Sequence, residues 1–259
     1  SPSNRAYPAG LIALNNGGSI SHSHSTANIT SVGSVAGGLV AENYNGGTIS
    51  FTSSTGNTVT TNGALTAGGL VGFNTGDGAV ISDSFSTSVV SGGSRTGGLV
   101  GQNQAGTIER SYTGLESRVT GAVNVGGLVG LSNHASIIRD SYTVGDSVTG
   151  TNNVGGLVGR QSSHDVHGAP RIDRTYAVIE VVASAQDGVR GGLVASEQGP
   201  ARVDSSYWEM YFSGPDSSAG GSGRPIELMV QQTNYTTWDF TSTWSIREGN
   251  STPQLRSIP

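Results

Sequence analysis

The pentapeptide GGLVG, or a close variant of it, recurs seven times, and that recurrence decides most of what the chain can fold into. Its leucines are Leu11, Leu39, Leu70, Leu99, Leu128, Leu157 and Leu193, at steps of 28, 31, 29, 29, 29 and 36 residues. A period of this size describes one supersecondary unit stacked on copies of itself. The unit from Gly97 to Gly126 holds three short apolar segments: Leu99-Val100, Ile108 with Tyr112, and Val119. Gly, Asn or Ser separates them, which is the pattern of strand, turn, strand, turn, strand. The expected fold is all-β: a β-solenoid (β-helix) of about seven coils with an aromatic-rich cap at its C-terminal end. Residues 1–207 are read as the solenoid and residues 208–259 as the capping segment.

Other columns share the period. The first core position of the second segment is Ile20, Ile49, Ile81, Ile108, Ile138, Ile172 and Val203. Three residues on stand Ser23, Thr52, Ser84, Ser111, Ser141, Thr175 and Ser206. One further on come His24, Ser53, Phe85, Tyr112, Tyr142, Tyr176 and Tyr207. The third segment carries Ile29, Val59, Val90, Val119, Val148 and Val182. Stacked at about 4.8 Å per strand, six laps of offset make a body roughly 30 Å long. Leucine over leucine and isoleucine over isoleucine then form a thin continuous core that no single unit could bury. The glycine pair before each Leu-Val admits positive φ and close backbone approach at a corner.

Asn15, Asn43, Asn74 and Asn103 follow four residues after the Leu, with Asn133 one place later; they are read as a turn-stabilising amide ladder. Asp83, Arg110, Asp140 and Arg174 alternate in sign two residues after the core aliphatic, and Glu109, Arg139 and Asp173 alternate one residue after it. Opposite charges across neighbouring strands fix register. Strict alternation would place Arg110 on the same face as Ile108 and Tyr112, so a bulge or corner falls in that segment, or the tyrosines form an outer ladder. The adjacent Leu-Val pairs call for a corner that turns both side chains inward.

Composition narrows the function. Net charge is −5, all 13 basic residues are arginine, and no basic cluster exists, which argues against nucleic acid and an anionic membrane surface as partners. With no lysine, Lys–Asn isopeptide cross-links are excluded; with no cysteine, so are disulfides and thiolate metal sites. No apolar run approaches the ~20 residues of a membrane span, and no signal peptide is read, so Ser1-Pro2-Ser3 reads as a processed start or a cut in a longer chain. The five histidines, His22, His24, His134, His164 and His167, form no H-E-x-x-H. No catalytic, cofactor or metal residue is assigned, and the chain is expected to be non-enzymatic.

The GGLVGxN signature with its downstream I-x-x-S-Y resembles the GLUG repeat of bacterial secreted and surface proteins. Filamentous-haemagglutinin-like adhesins contain such repeats, as do some zinc metallopeptidases that cleave immunoglobulin A. The resemblance covers about residues 9–207. The segment SYWEMYFSGPDSSAGGSGRPIELMVQQ, followed by TTWDF, is similar to the part that closes such arrays; it holds Trp208, Trp238 and Trp244 and a short amphipathic helix over Pro225–Gln232. These tryptophans are read as a cap over the last coil, with an aromatic carbohydrate site as the competing reading. The resemblance implies a secreted or cell-surface adhesive module or self-assembling fibre. Its partners would be neighbouring repeats or a second copy at the uncapped N-terminal coil, and host or matrix glycans or proteins. The rivals are a carbohydrate-active or carbohydrate-binding β-helix, whose site would fall in the insertion Gln161–Arg171 with His164, Asp165 and His167, and, last, an ice-binding protein.

Overall fold

The computed structural model describes residues 6–32, 34–60, 65–163 and 168–258. The chain is a β-solenoid of parallel stacked coils, as its repeat implies. Each coil adds one strand to a seven-stranded sheet built from Ile12–Asn16, Val40–Tyr44, Val71–Thr75, Val100–Gln104, Val129–Asn133, Val158–Ser162 and Val194–Gln198. We call this the GLV sheet. A second sheet carries the isoleucine and aromatic columns, from Ser19–Ser21 to Ser222–Arg224. Short strands from Val35–Gly37 to Arg190–Gly191 form a six-stranded sheet that leads back into the next GLV corner.

The corner explains the repeat. The backbone N–H groups of Leu39 and Val40 both donate to the Leu70 carbonyl, at 2.9 and 3.0 Å, and those of Leu70 and Val71 both donate to that of Leu99. The same pairing recurs up to the Leu193 carbonyl. Two successive amides converging on one oxygen bend the strand, so Leu and Val both turn inward, and from Leu39-Val40 to Leu193-Val194 both are fully buried. Leu11 stands apart at 51% exposed, because its coil is the outermost described and packs on one side only. The glycine pairs serve close approach rather than positive φ: a Cβ on Gly98 would lie 2.1 Å from the Gly127 carbonyl oxygen, and one on Gly37 would lie 1.9 Å from that of Val40.

A second corner settles the placement of Arg110. One residue per coil takes left-handed φ there: His22, Phe51, Asp83, Arg110, Asp140, Arg174 and Ser205, at φ 43–52°. Such backbone is costly for a residue with a Cβ, and here the turn after it is fastened by the hydroxyl column. The Ser84 N–H donates to Ser111 Oγ at 3.3 Å, the Ser111 N–H donates to Ser141 Oγ at 3.2 Å, and Ser111 Oγ donates back to the Glu109 carbonyl at 2.8 Å. The hydroxyl therefore stands in for a carbonyl that the turn has swung away. The arginine points outward, the serine inward, and the tyrosine lies on the outer side of the second sheet.

The isoleucine column stacks as expected, Ile20 through Ile172 to Val203. The third column is shifted at two places. Thr58, not Val59, lies between Ile29 and Val90 and is buried. Val181, not Val182, faces Val148; Val181 is 1% exposed and Val182 is 37% exposed. A slip of one residue swaps the two faces of a strand, and in the longer coil a register shift between Val144 and Ser147 supplies it. The asparagine ladder is continuous over four coils: Asn15 Nδ2 donates to Asn43 Oδ1 at 2.7 Å, Asn43 to Asn74 at 2.8 Å and Asn74 to Asn103 at 2.9 Å. Asn133 lies outside it. Ser132 takes that register position and pairs with Ser136 at 2.8 Å, while Asn133 sits beside Gln104.

The C-terminal segment does two things. Ser218 Oγ accepts the N–H groups of Leu193 and Val194, at 3.2 and 2.9 Å, replacing the carbonyl that a further coil would offer. Strand Ser222–Arg224 pairs with Tyr207–Glu209 and extends the stack. The chain then turns back at Pro225 through a helix shorter than expected, Ile226–Met229, and a 3-10 turn at Gln232–Asn234, and runs along the outside of the aromatic column. No helix among the described residues is long and apolar enough to cross a membrane.

Truncating a stacked leucine leaves a cavity between two rigid coils. Leu128→Ala is expected to lower unfolding free energy by about 3 kcal/mol in a denaturant titration. Leu115→Ala, at a side chain that is 75% exposed, is expected to change it by less than about 0.5 kcal/mol.

Candidate functional site

The carboxylates of the alternating columns are engaged in ion pairs. Arg110 grips Asp83 through Nε and Nη2 at 2.9 and 2.8 Å, and Arg174 grips Asp140 the same way at 2.7 Å twice. Arg139 pairs with Glu109 through Nε at 2.8 Å, and Arg174 also contacts Asp173. These are the lap-to-lap pairs that the alternating signs imply. Burial pushes the Asp83 carboxyl up, but hydrogen bonds from Arg110 and Ser257 and the Arg110 charge outweigh it and hold it below the usual carboxylate range. The hydrogen bond that Arg110 donates to Asp83 raises the guanidinium in turn.

The aromatic column is a stack of parallel rings. Centroids lie 5.1 Å apart for Phe85–Tyr112, 4.8 Å for Tyr112–Tyr142 and 4.9 Å for Tyr142–Tyr176. Outside the solenoid core, it is covered by Met229, Tyr235, Trp238, Trp244 and Leu255 to make a second core. Burial raises the phenols of Tyr112, Tyr142 and Tyr176. Trp208 fills the main core against Gly192, and Trp238 and Trp244 pack on the tyrosines, so all three are buried. The carbohydrate reading of these tryptophans is therefore corrected: no indole face is open to a sugar. Arg224 clamps this cover, its guanidinium 3.4 Å from the Tyr207 ring centre and its Nη1 donating to the Asn234 carbonyl at 2.7 Å. Where the cover ends, a cleft of about 480 Å³ opens beside Tyr112, Leu115, Glu116 and Ile258.

The outward face of the GLV sheet is different in kind. Its register brings Glu42, Phe73, Gln102, Leu131, Arg160 and Ser196 into one row across six coils. A depression of about 490 Å³ lies over this row and takes in Arg95 from the adjoining short strand. Arg95 Nη1 donates to Gln102 Oε1 at 2.7 Å, and Gln102 Nε2 donates to Asn133 Oδ1 at 3.1 Å and Gln104 Oε1 at 3.3 Å. Burial lowers the Arg95 guanidinium, and no ion pair joins Arg95 or Arg160 to a carboxylate among the described residues. Sequence reasoning did not single out this row. Its signal was there in part: this position changes in chemistry at every lap, while the valine that opens each of these strands repeats.

Other expectations fall out as follows. His24 Nδ1 is 2.6 Å from Ser53 Oγ, and His22 stacks on Phe51 at 5.1 Å, so the two point in different directions. His164, Asp165 and His167 lie outside the described residues. Among the described residues no three His, Asp or Glu side chains gather as for a metal ion.

No family model matches the sequence, and no curated protein matches it. A crystal structure of a "putative immunoglobulin A1 protease" from Bacteroides ovatus, at 1.30 Å resolution, is similar over 92% of this chain and 76% of that one, with a TM-score of 0.68 and 15% identity. The two share a fold. The expectation of a chain without enzymatic activity is corrected by that protein's name, which points toward an enzyme. The physical reason is that a solenoid can assemble reactive groups from separate laps, leaving no local motif to find.

Asp83 gives the ion-pair network an acid limit. Its folded carboxyl titrates below its unfolded value, so its contribution to stability is complete above about pH 4 and drains away as pH falls through the lower folded value. Asp83→Asn is expected to flatten this part of the acid-unfolding curve while leaving the pH 5–8 region's slope unchanged, read by circular dichroism.

Proposed function

We propose that this protein is an extracellular binding module of a bacterial secreted or cell-surface protein of the GLUG-repeat kind, adhesive in role, with the outward GLV face as its binding surface. Within residues 208–259, the stretch around Ser218 closes one end, and the part from Met229 to Leu255 covers the aromatic column along its side. The observation that carries the reading is the uninterrupted row Glu42, Phe73, Gln102, Leu131, Arg160 and Ser196. The strands carrying Glu42 through Arg160 are hydrogen-bonded on both sides, so their backbone is satisfied and side chains alone meet a ligand there. Rigid strands hold those side chains at fixed spacing, which lowers the ordering cost of binding. At the other end, exposed Leu11, Ile12 and Leu14 support contact with a neighbouring coil or a second copy.

Purified protein is expected to bind immobilised host matrix or glycan saturably. Leu131→Glu should weaken that binding about tenfold or more, while Leu115→Ser, on another face, should leave it unchanged. Equal loss from both variants, or binding by neither parent nor variant, would contradict the reading.

The name of the structural neighbour favours a second reading, in which the solenoid belongs to a protease and engages its protein substrate. Incubating the chain with immunoglobulin A1 and resolving the products by electrophoresis separates the two: discrete fragments support the protease reading, and an intact heavy chain removes it.

A further inference from the structure

Resting on the binding-module reading, we propose that the depression at Arg95 and Arg160 is a site for an acidic polysaccharide, one that carries carboxylates along a chain of pyranose rings. The hydrogen-bond bookkeeping of the site points to an anion. Gln102 spends its oxygen on Arg95 and its amide nitrogen on the oxygens of Asn133 and Gln104. Asn133 and Gln104 line the depression beside two guanidiniums. Arg160 is held by the carboxamide oxygen of Gln198, which orients its charge without neutralising it. The site is thus donor-rich, and carboxylate oxygens are the acceptors that fit planar guanidinium forks.

Its shape and apolar part select a saccharide. The row runs from Phe73 to Gln198 across five successive coils, four steps of about 4.8 Å or roughly 19 Å, long enough for several sugar rings. Phe73 and Leu131 alternate with the polar residues and offer surfaces on which the C–H face of a pyranose can lie. A peptide binding by strand addition would need an open sheet edge, and the strands that carry Phe73, Gln102, Leu131 and Arg160 are interior to the seven-stranded sheet. The half-buried setting of Arg95 strengthens its attraction for a carboxylate relative to a fully solvated arginine.

The test is calorimetric titration of the intact chain with hyaluronan oligosaccharides, which bear a carboxylate on alternate rings, and with dextran oligosaccharides of equal length, which bear none. The acidic series is expected to bind at least about tenfold tighter, and Arg95→Gln with Arg160→Gln to remove that preference. Because Arg95 is half-buried, Arg160→Gln alone is measured beside the double variant; it should weaken hyaluronan binding several-fold with an unchanged Tm. Equal affinity for the two series, unchanged hyaluronan affinity in the folded Arg160→Gln protein, or binding of neither series overturns the proposal. Matrix adhesion that survives the double variant would leave the binding-module reading standing while this site falls, whereas loss of adhesion in Leu131→Glu without any role for the arginines would locate the ligand on this face with different chemistry.

Discussion

Everything in this molecule depends on one hydrogen-bond arrangement: two successive amides, of Leu and Val, donating to a single carbonyl one coil away. That arrangement bends the strand, drives both side chains inward and sets the spacing of every other column. From Leu39 on the two preceding residues are glycines, and a Cβ on the first would lie about 2 Å from the carbonyl of the corner's own valine, as at Gly37, and one on the second about 2 Å from a glycine carbonyl of the next coil, as at Gly98. The glycines are therefore a packing requirement of the stack, not a hinge. Each coil is useless alone, because its inner face is a few side chains wide; stability is a property of neighbouring pairs.

The ends follow from the same constraint. A stack of parallel strands leaves unmatched N–H and C=O groups at each end, and exposed strand edges invite association. At the C-terminal side, Ser218 answers the donors with one hydroxyl, and the rest of the segment folds back over the tyrosines rather than across the end. The aromatic cover and the solenoid are thus welded along their length. Arg224 between Tyr207 and Tyr235 is the fastening where they meet.

The columns were legible in the sequence because each repeats in chemistry: leucine, isoleucine, serine, the first four asparagines and the charge pairs fall where their spacing puts them, while Asn133 yields its register position to Ser132. Two kinds of feature were not legible. Which of Thr58 and Val59, and which of Val181 and Val182, takes the stacked position is not readable from hydrophobicity, since register decides it and register is set by the coils on either side. Trp238 and Trp244 could not be placed from spacing, since they reach the tyrosine column across long stretches of chain without repeat. The candidate binding row escaped for the opposite reason. Recurrence does not mark a position that differs at every lap.

Amide hydrogen exchange resolved by NMR tests the shared-carbonyl corner most directly. The Leu and Val amides of the central coils, Leu70-Val71, Leu99-Val100 and Leu128-Val129, are predicted to exchange only through global unfolding, with Leu11 and Ile12 exchanging faster at the open edge. Central Leu and Val amides that exchange as fast as those of exposed turns would contradict the stacked corner on which the rest of the account is built.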